Sequence, residues 1–535
     1  MNMKQIRVII GCVFLSALFC LFIETAKADN NRKNTKLPAS GILDNPKLSV
    51  SVEMPFGLSN PYEQDDIVAK ESLPEILRDL GLTMDENGAG FVVDEIARKR
   101  AERKCNDAKC KKFDFSQAKN LIDLVSGQGK TNLWIVIGSP SKYKFTDGII
   151  RSNGKTYLPD GPISRQAYKD YLIALIDFVN SYGRKVSGNP DWYVVCWNLY
   201  NEVNAEYRDT FKDIDRAATA YSNFVIDSAE ILRNLSPQSK IVLAGAGSAT
   251  DLLGKHGEFY QLVFLKLKQA NLSYEPFDYW ESHWFGKFKN YAKNEAGYGV
   301  KDFIDFLSVN GYGDKKFLIR AGGTYSGQDT QERKHLTDNY QSERDQSEFL
   351  VKRFIYNVAA GAKKIPWSTV YEHNEYQSGL HVLFNYIGLL YNGIPDGVSE
   401  KQKCTQGWLP CPDPGAGVKK LSYYTFKHLI EKLKGSDFDN IEVINDGNRD
   451  NLYLYKFNKQ GLSIWVAWND NIASKIIEIS TGNARQVKIT EAVPKYESGK
   501  EVVNYNIAFN TETKSISDGK ITITLKDKPV FVEEK

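Results

Sequence analysis

Eight short apolar runs, each followed by a longer amphipathic stretch, succeed one another from about residue 48 to residue 434, and nothing else in the chain constrains its fold so strongly. The runs cover 49–58, a weaker one at 81–84, then 132–138, 192–200, 240–244, 279–285, 316–319 and 364–370. Between them lie segments with helical periodicity, clearest at 164–182, 213–235, 343–360 and 421–434. Strands buried on both faces read as nearly continuous apolar residues, as LWIVIG at Leu133 and WYVVCW at Trp192 do. Strand and helix in strict alternation predict an α/β fold with a parallel sheet. Eight such units match a (β/α)8 TIM barrel, whose usual size is about 250 residues or more.

The rival α/β architecture is a doubly wound nucleotide-binding sheet. Its one supporting feature is Gly245-Ala246-Gly247 after the fifth run, which lacks the third glycine and the later acidic partner of a dinucleotide fingerprint. No nucleotide and no cofactor are therefore expected. Past Gly435 the period changes to two, in NLYLYKF, LSIWVAW, KIIEIS and KITITL. Alternation of this kind predicts antiparallel strands with one buried face, hence a small C-terminal β-sandwich over 438–535 beside a barrel over 48–437.

The 535-residue chain has room for such a pair of domains, and its 69 basic residues nearly balance 66 acidic ones. With no sizeable basic block, nucleic acid is excluded as an expected partner. The N-terminus carries Lys4 and Arg7, an apolar run over 8–23 and the small-x-small triplet Ala26-Lys27-Ala28. These are the parts of a signal peptide over 1–28, with 29–47 as a polar leader, and they predict an exported protein, periplasmic, extracellular or envelope-associated. A membrane enters only if that segment stays uncleaved. In an oxidising compartment Cys105 with Cys110, and Cys404 with Cys411, are candidate local disulfides, while Cys196 reads as a buried thiol. Tight C-x2-C knuckles and clustered histidines are absent, so no metal site is expected.

The sharpest motif is WNLYNEVN, residues 197–204, at the end of the fourth run. In a barrel, the C-terminal strand ends face the active-site mouth, which places Asn201 and Glu202 there. On these residues the chain resembles the clan A glycoside hydrolases, of the bacterial family 39 and family 5 type. That resemblance implies a carbohydrate substrate, Glu202 as general acid/base and Asn201 as a ligand of the sugar 2-hydroxyl. It also implies sugar contacts from His283 and Trp284 at the sixth strand and from Trp367, as a stacking platform, on the eighth.

The resemblance further implies a nucleophilic Glu ending strand seven, where this chain reads KFLIRAGGTY and places Arg320. A guanidinium stays protonated and cannot attack an anomeric carbon. The second carboxylate that glycoside hydrolysis needs must then come from elsewhere, with Glu372, Glu281 and Glu375 as candidates and Arg320 as a substrate-binding group. The strand-two arginine of the clan is also missing, the region reading LTMDEN around Asp85. Two functions emerge as expectations: a polysaccharide-acting glycosidase, or a catalytically inactive carbohydrate-binding barrel that handles an envelope polysaccharide.

Overall fold

The computed structural model describes residues 54–59, 73–82, 92–95, 133–137, 149–150, 156–203, 213–247, 250–328, 340–372, 384–393, 414–482 and 484–535, with a few isolated positions besides. The segment 1–28 expected to be a signal, and Cys105, Cys110, Cys404, Cys411, Asp85 and Glu375, lie outside these residues. Cys196 is described, and it is a buried thiol. Among the described residues no helix is long and apolar enough to cross a membrane.

Eight strands form one sheet: β1 (Phe56–Ser59), β2 (Val92–Glu95), β3 (Leu133–Ile137), β4 (Cys196–Leu199), β5 (Lys240–Ala246), β6 (Tyr279–Phe285), β7 (Lys316–Gly323) and β8 (Ile365–Ser368). Every ladder in it is parallel, β8 pairing with β1 and the remainder running in chain order to β7. The sheet curls until its ends approach, and Ile319 N–H donates to the Lys364 carbonyl (3.0 Å) while Lys363 N–H donates to that of Phe317 (2.9 Å).

Helices α1 (Leu73–Asp79), α2 (Pro162–Ser187), α3 (Ile214–Leu235), α4 (Lys255–Gln269), α5 (Val300–Val309), α6 (Glu343–Ala359) and α7 (Leu421–Leu433) supply the crossovers and their outer layer. Their limits are set by local chemistry. α2 opens on Pro162, whose missing N–H costs nothing at a first helical turn, and closes on Gly188 at φ 66°. α3 begins where Asp213 accepts from Arg216 N, and α6 where Ser342 and Asp345 form a reciprocal capping box.

The second strand does not begin at Gly81, as the run at 81–84 suggested. Gly81 instead ends the turn after α1 at φ 75°, and the second strand is the later run VVDE. Here a glycine required by a helix stop had mimicked the start of a strand.

Strand parity divides the core. Leu133, Ile135, Trp197, Leu199, Ile241, Leu243, Trp280, Phe317, Ile319, Ile365 and Trp367 join the large cluster shared with the helices. The alternate residues Trp134, Val136, Cys196, Val242 and Leu318 form a separate small cluster enclosed by the sheet. Further toward the C-terminal strand ends the same inner parity turns polar, at Asn198, Glu281, His283 and Arg320. This gradient positions the site.

Beyond α7, strands β9 (Glu442–Asp446), β10 (Leu452–Lys459), β11 (Leu462–Asn469), β13 (Gln486–Glu491), β14 (Thr511–Ser515) and β16 (Val530–Glu534) make a six-stranded antiparallel sheet in the order 9-10-11-16-13-14. A hairpin-like pair, β12 (Lys475–Ser480) with β15 (Lys520–Leu525), covers one face through Leu454, Trp465, Ile489, Ile521 and Ile523. The other face, with Tyr455, Phe457, Val466, Trp468 and Phe531, joins the core of the parallel domain.

Candidate active site

β4 ends abruptly because two non-glycine residues after it adopt positive φ, Tyr200 at 87° and Glu202 at 42°. Such conformations cost on the order of 1–3 kcal/mol each and persist only where the surroundings enforce them. Here the Tyr200 ring is buried edge-on to Phe224, and Tyr200 N–H donates to the Ile137 carbonyl at 2.7 Å. The result turns Asn201 and Glu202 toward the inner, C-terminal edge of the sheet. The Glu202 side chain keeps 21% of its surface exposed, enough to meet a ligand.

Five polar groups converge there. His283 Nδ1 lies 2.5 Å from Glu202 Oε1 and its Nε2 lies 2.6 Å from Arg320 Nη2. The same Nη2 donates to Asn201 Oδ1, and Arg320 Nε donates to Glu281 Oε1 at 3.3 Å. A guanidinium only donates, so His283 Nε2 accepts from it and the ring proton sits on Nδ1, pointed at Glu202. The structure thus brings Glu202, Asn201, His283, Arg320 and Glu281 into one chain of hydrogen bonds.

This chain sets the electrostatics. Burial alone would raise the pKa of Glu202. Attraction to His283, the hydrogen bond from it, and attraction to Arg320 outweigh burial and hold the carboxyl below its ordinary range. Glu202 is thereby favoured as a carboxylate, the form that accepts protons or attacks.

Glu281 is not available as a second acting carboxyl. It is fully buried, and its Oε1 accepts from Gly245 N (2.6 Å) and Asn198 Nδ2 (3.2 Å) as well as from Arg320. Gly245 is required for that approach, because a Cβ at this position would stand 2.1 Å from Glu281 Oε2. Removing such an ion from water is tolerated only with this many partners. Arg320 is correspondingly buried and already neutralised, and it does not present a free cation to a ligand; its Nη1 alone has no partner.

Three further expectations are corrected. Glu372 is buried and forms an ion pair with Lys420, a fully buried lysine that also donates to Ser326 Oγ at 2.9 Å. It is a structural counter-ion to the lysine that precedes α7. Trp367 shares the parity of Ile365, so its ring faces the helix layer, where it is fully buried, donates from Nε1 to the Ile387 carbonyl (2.9 Å) and meets Phe349 edge-on. Trp284 shares the parity of Trp280, is likewise buried, and donates from Nε1 to the Lys293 carbonyl at 2.7 Å. Neither ring offers a face to a sugar.

Trp284 instead secures the segment after β6, and this segment carries a residue that sequence reasoning misses. Asn294 is buried, donates from Nδ2 to the Thr250 carbonyl (3.1 Å), and accepts at Oδ1 from Ala296 N (3.0 Å) and Tyr298 N (2.9 Å). Tyr298 OH donates to Asp251 at 2.8 Å, tying the turn to the loop after β5. The turn so fixed presents Glu295. The residue is exposed overall, and partial burial first, then the negative charge of Glu202, raise its pKa. The signal available in the sequence was KNEAGYG, an Asn-stabilised turn directly after the His-Trp strand end.

No protein-family model matches the sequence, and no curated protein does. Solved structures match in fold over most of the chain. A conserved exported protein from Bacteroides fragilis is 12% identical with a TM-score of 0.54, over 90% of this chain and 97% of that one. A glucosidase from Croceicoccus marinus is 10% identical with a TM-score of 0.50, over 90% and 96%. AbfB, a family 51 α-L-arabinofuranosidase from Bifidobacterium longum, is 10% identical with a TM-score of 0.50, over 91% and 96%. At these identities the likeness is one of fold, and the fold is glycosidase-like.

Proposed function

We propose that this chain is an exported glycoside hydrolase that acts on a poly- or oligosaccharide, built on a complete (β/α)8 barrel over 48–437 with a β-sandwich over 438–535. The observation that carries this reading is Glu202. It stands at the C-terminal edge of the parallel sheet, partly exposed, on a strained turn and hydrogen-bonded to His283 at 2.5 Å. Side chains gathered at that edge are where sheets of this kind do chemistry. Asn201 beside it is the natural ligand for a sugar hydroxyl.

A second reading is a catalytically silent, carbohydrate-binding barrel that handles an envelope polysaccharide. It is favoured by Arg320, which fills the inner face of β7 where the clan resemblance calls for a nucleophilic Glu. Both readings are tested by hydrolysis of a broad polysaccharide panel with wild type, Glu202→Gln and Arg320→Glu. Hydrolysis is expected from wild type, and removal of a proton-transfer group is expected to lower it by about 100-fold or more in Glu202→Gln. Cleavage by Arg320→Glu alone would favour the silent barrel, and no cleavage by any of the three would remove the hydrolase reading.

A further inference from the structure

On the glycoside hydrolase reading, on which this inference rests, Arg320 occupies a nucleophile's place and yet offers almost nothing to a ligand. Its side chain is 2% exposed and that of His283 5%, against 21% for Glu202, so both lie beneath the carboxylate. We infer that Arg320 and His283 are positioning residues: Arg320 selects the tautomer of His283, and the imidazole so fixed presents its one ring proton to Glu202 as the hydrogen bond that aims and holds the carboxylate.

The selection follows from the donors present. Arg320 Nε donates to Glu281 Oε1 at 3.3 Å, and the two hydrogens of Nη2 serve Asn201 Oδ1 and, at 2.6 Å, His283 Nε2. A planar guanidinium holds these acceptors in one fixed arrangement that a flexible ammonium does not offer. Its anchor is Glu281, itself fixed by Gly245 N on β5 (2.6 Å) and Asn198 Nδ2 on β4 (3.2 Å). Facing a permanent donor, His283 Nε2 keeps its lone pair, and the ring proton stays on Nδ1, 2.5 Å from Glu202 Oε1. In the other tautomer two donors would meet at Nε2, and the Nδ1 lone pair would oppose a carboxylate oxygen.

The consequence is a carboxylate held against its own burial. Burial favours the protonated form of Glu202, and His283 and then Arg320 more than offset it. Around them stand Glu281, whose Oε2 is 3.6 Å from His283 Nε2, Tyr260 of α4, whose hydroxyl donates to the Ala244 carbonyl at 2.9 Å, and Glu295 in the turn after β6. None of these is a cation, so none replaces what His283 and Arg320 supply. The same fork sets Asn201: with Oδ1 taken by Arg320, its amide donor is what it can offer a sugar oxygen. Groups aimed in advance in this way lose little freedom when a substrate arrives.

Two readouts test this. The first needs no substrate: nitrogen-15 NMR of histidine-labelled protein at neutral pH, with the His283 signals identified as those missing from His283→Asn. Wild type is expected to show a protonated Nδ1 and an unprotonated Nε2, and the Nε2 signal is expected to move in Arg320→Met/Glu281→Met, where its donor is gone and no charge is stranded. A proton on Nε2 in wild type, or an unmoved signal in that variant, overturns the inference. The second is the pH dependence of kcat/KM on the polysaccharide panel for wild type, His283→Asn and His283→Leu, each checked for folding by denaturant unfolding. Leucine donates nothing to Glu202, so burial prevails and the acid limb is expected to move to higher pH by about 1 unit or more. Asparagine carries a donor near the place of Nδ1, so its limb is expected to stay close to that of wild type. An equal displacement in both variants, or none in either, overturns the inference while the hydrolase reading stands. Failure of the wild type on every substrate removes the hydrolase reading, and the NMR spectrum still decides whether Arg320 selects the tautomer.

Discussion

Arg320 brings a permanent positive charge into the inner layer of the sheet, where Glu281, His283 and Glu202 already compete for protons. Its side chain is 2% exposed and its nearest carboxylate, Glu281, is wholly buried. A pair in this setting stabilises the fold only because both ions keep further partners, and removing one leaves the other stranded. Arg320→Gln is accordingly expected to destabilise the chain by about 3–5 kcal/mol in denaturant unfolding, while Arg320→Met combined with Glu281→Met costs less than that. Equal losses in the single and double variants would show that the pair is not coupled as described. At the same scale, the Asn-Glu pair ending β4 was readable from sequence, because a motif after an apolar run needs no knowledge of its neighbours. The partner of Arg320 was not, since Glu281 lies 39 residues away and meets it only through strand register.

Among the elements, β5 and β6 bear the most specific constraint. Their ladder shifts register between Leu243 and Ala246, and in that stretch Gly245 admits the Glu281 carboxylate against the backbone. Gly245→Ala would drive a methyl group to 2.1 Å from Glu281 Oε2. Overpacking of a tight site costs about 1–3 kcal/mol, and thermal unfolding of Gly245→Ala should reveal a loss of that size. An unchanged melting temperature would mean that Glu281 has room to move. This glycine is legible in the sequence only as the beginning of an incomplete dinucleotide motif. Its use is to let a carboxylate pass, and strand pairing decides that. The reverse holds for Trp367 and Trp284, whose orientation toward the helices was already contained in strand parity. Counting alternate residues from Ile365 and Trp280 places both rings in the outer core.

Across the whole molecule, the seam between the parallel domain and the C-terminal sheets contains two titratable groups with opposite signs. His428 on α7 is stacked on Phe509 at 3.9 Å, and burial, then repulsion from Lys432 and Lys488, lowers its pKa to about 3. Its folded pKa lies below the unfolded value, so its contribution is present above about pH 6.5 and is lost as pH falls toward 3. Glu348 on α6 is raised to about 7, chiefly by burial, with Lys352 opposing and Asp527 and Asp345 adding to the rise. Its contribution is present below about pH 4.5 and is lost as pH rises through 7. Replacing His428 by Phe should therefore flatten the decline of unfolding free energy between about pH 6.5 and 4, and Glu348→Gln should flatten the decline between about pH 5 and 8. Parallel curves for variant and wild type would place these groups outside the seam's energetics.

By itself the sequence determined the alternation of strand and helix, the change to a period of two after residue 435, and the Asn-Glu pair at the fourth strand end. Each depends on spacing within one segment, and periodicity is a local property of the chain. Only the tertiary structure decided that Glu281 answers Arg320, that Glu372 answers Lys420, and that His283 turns its proton toward Glu202. Those pairings depend on register across the sheet and on loops from different crossovers meeting at one edge. A single segment holds no record of which distant charge will stand beside it.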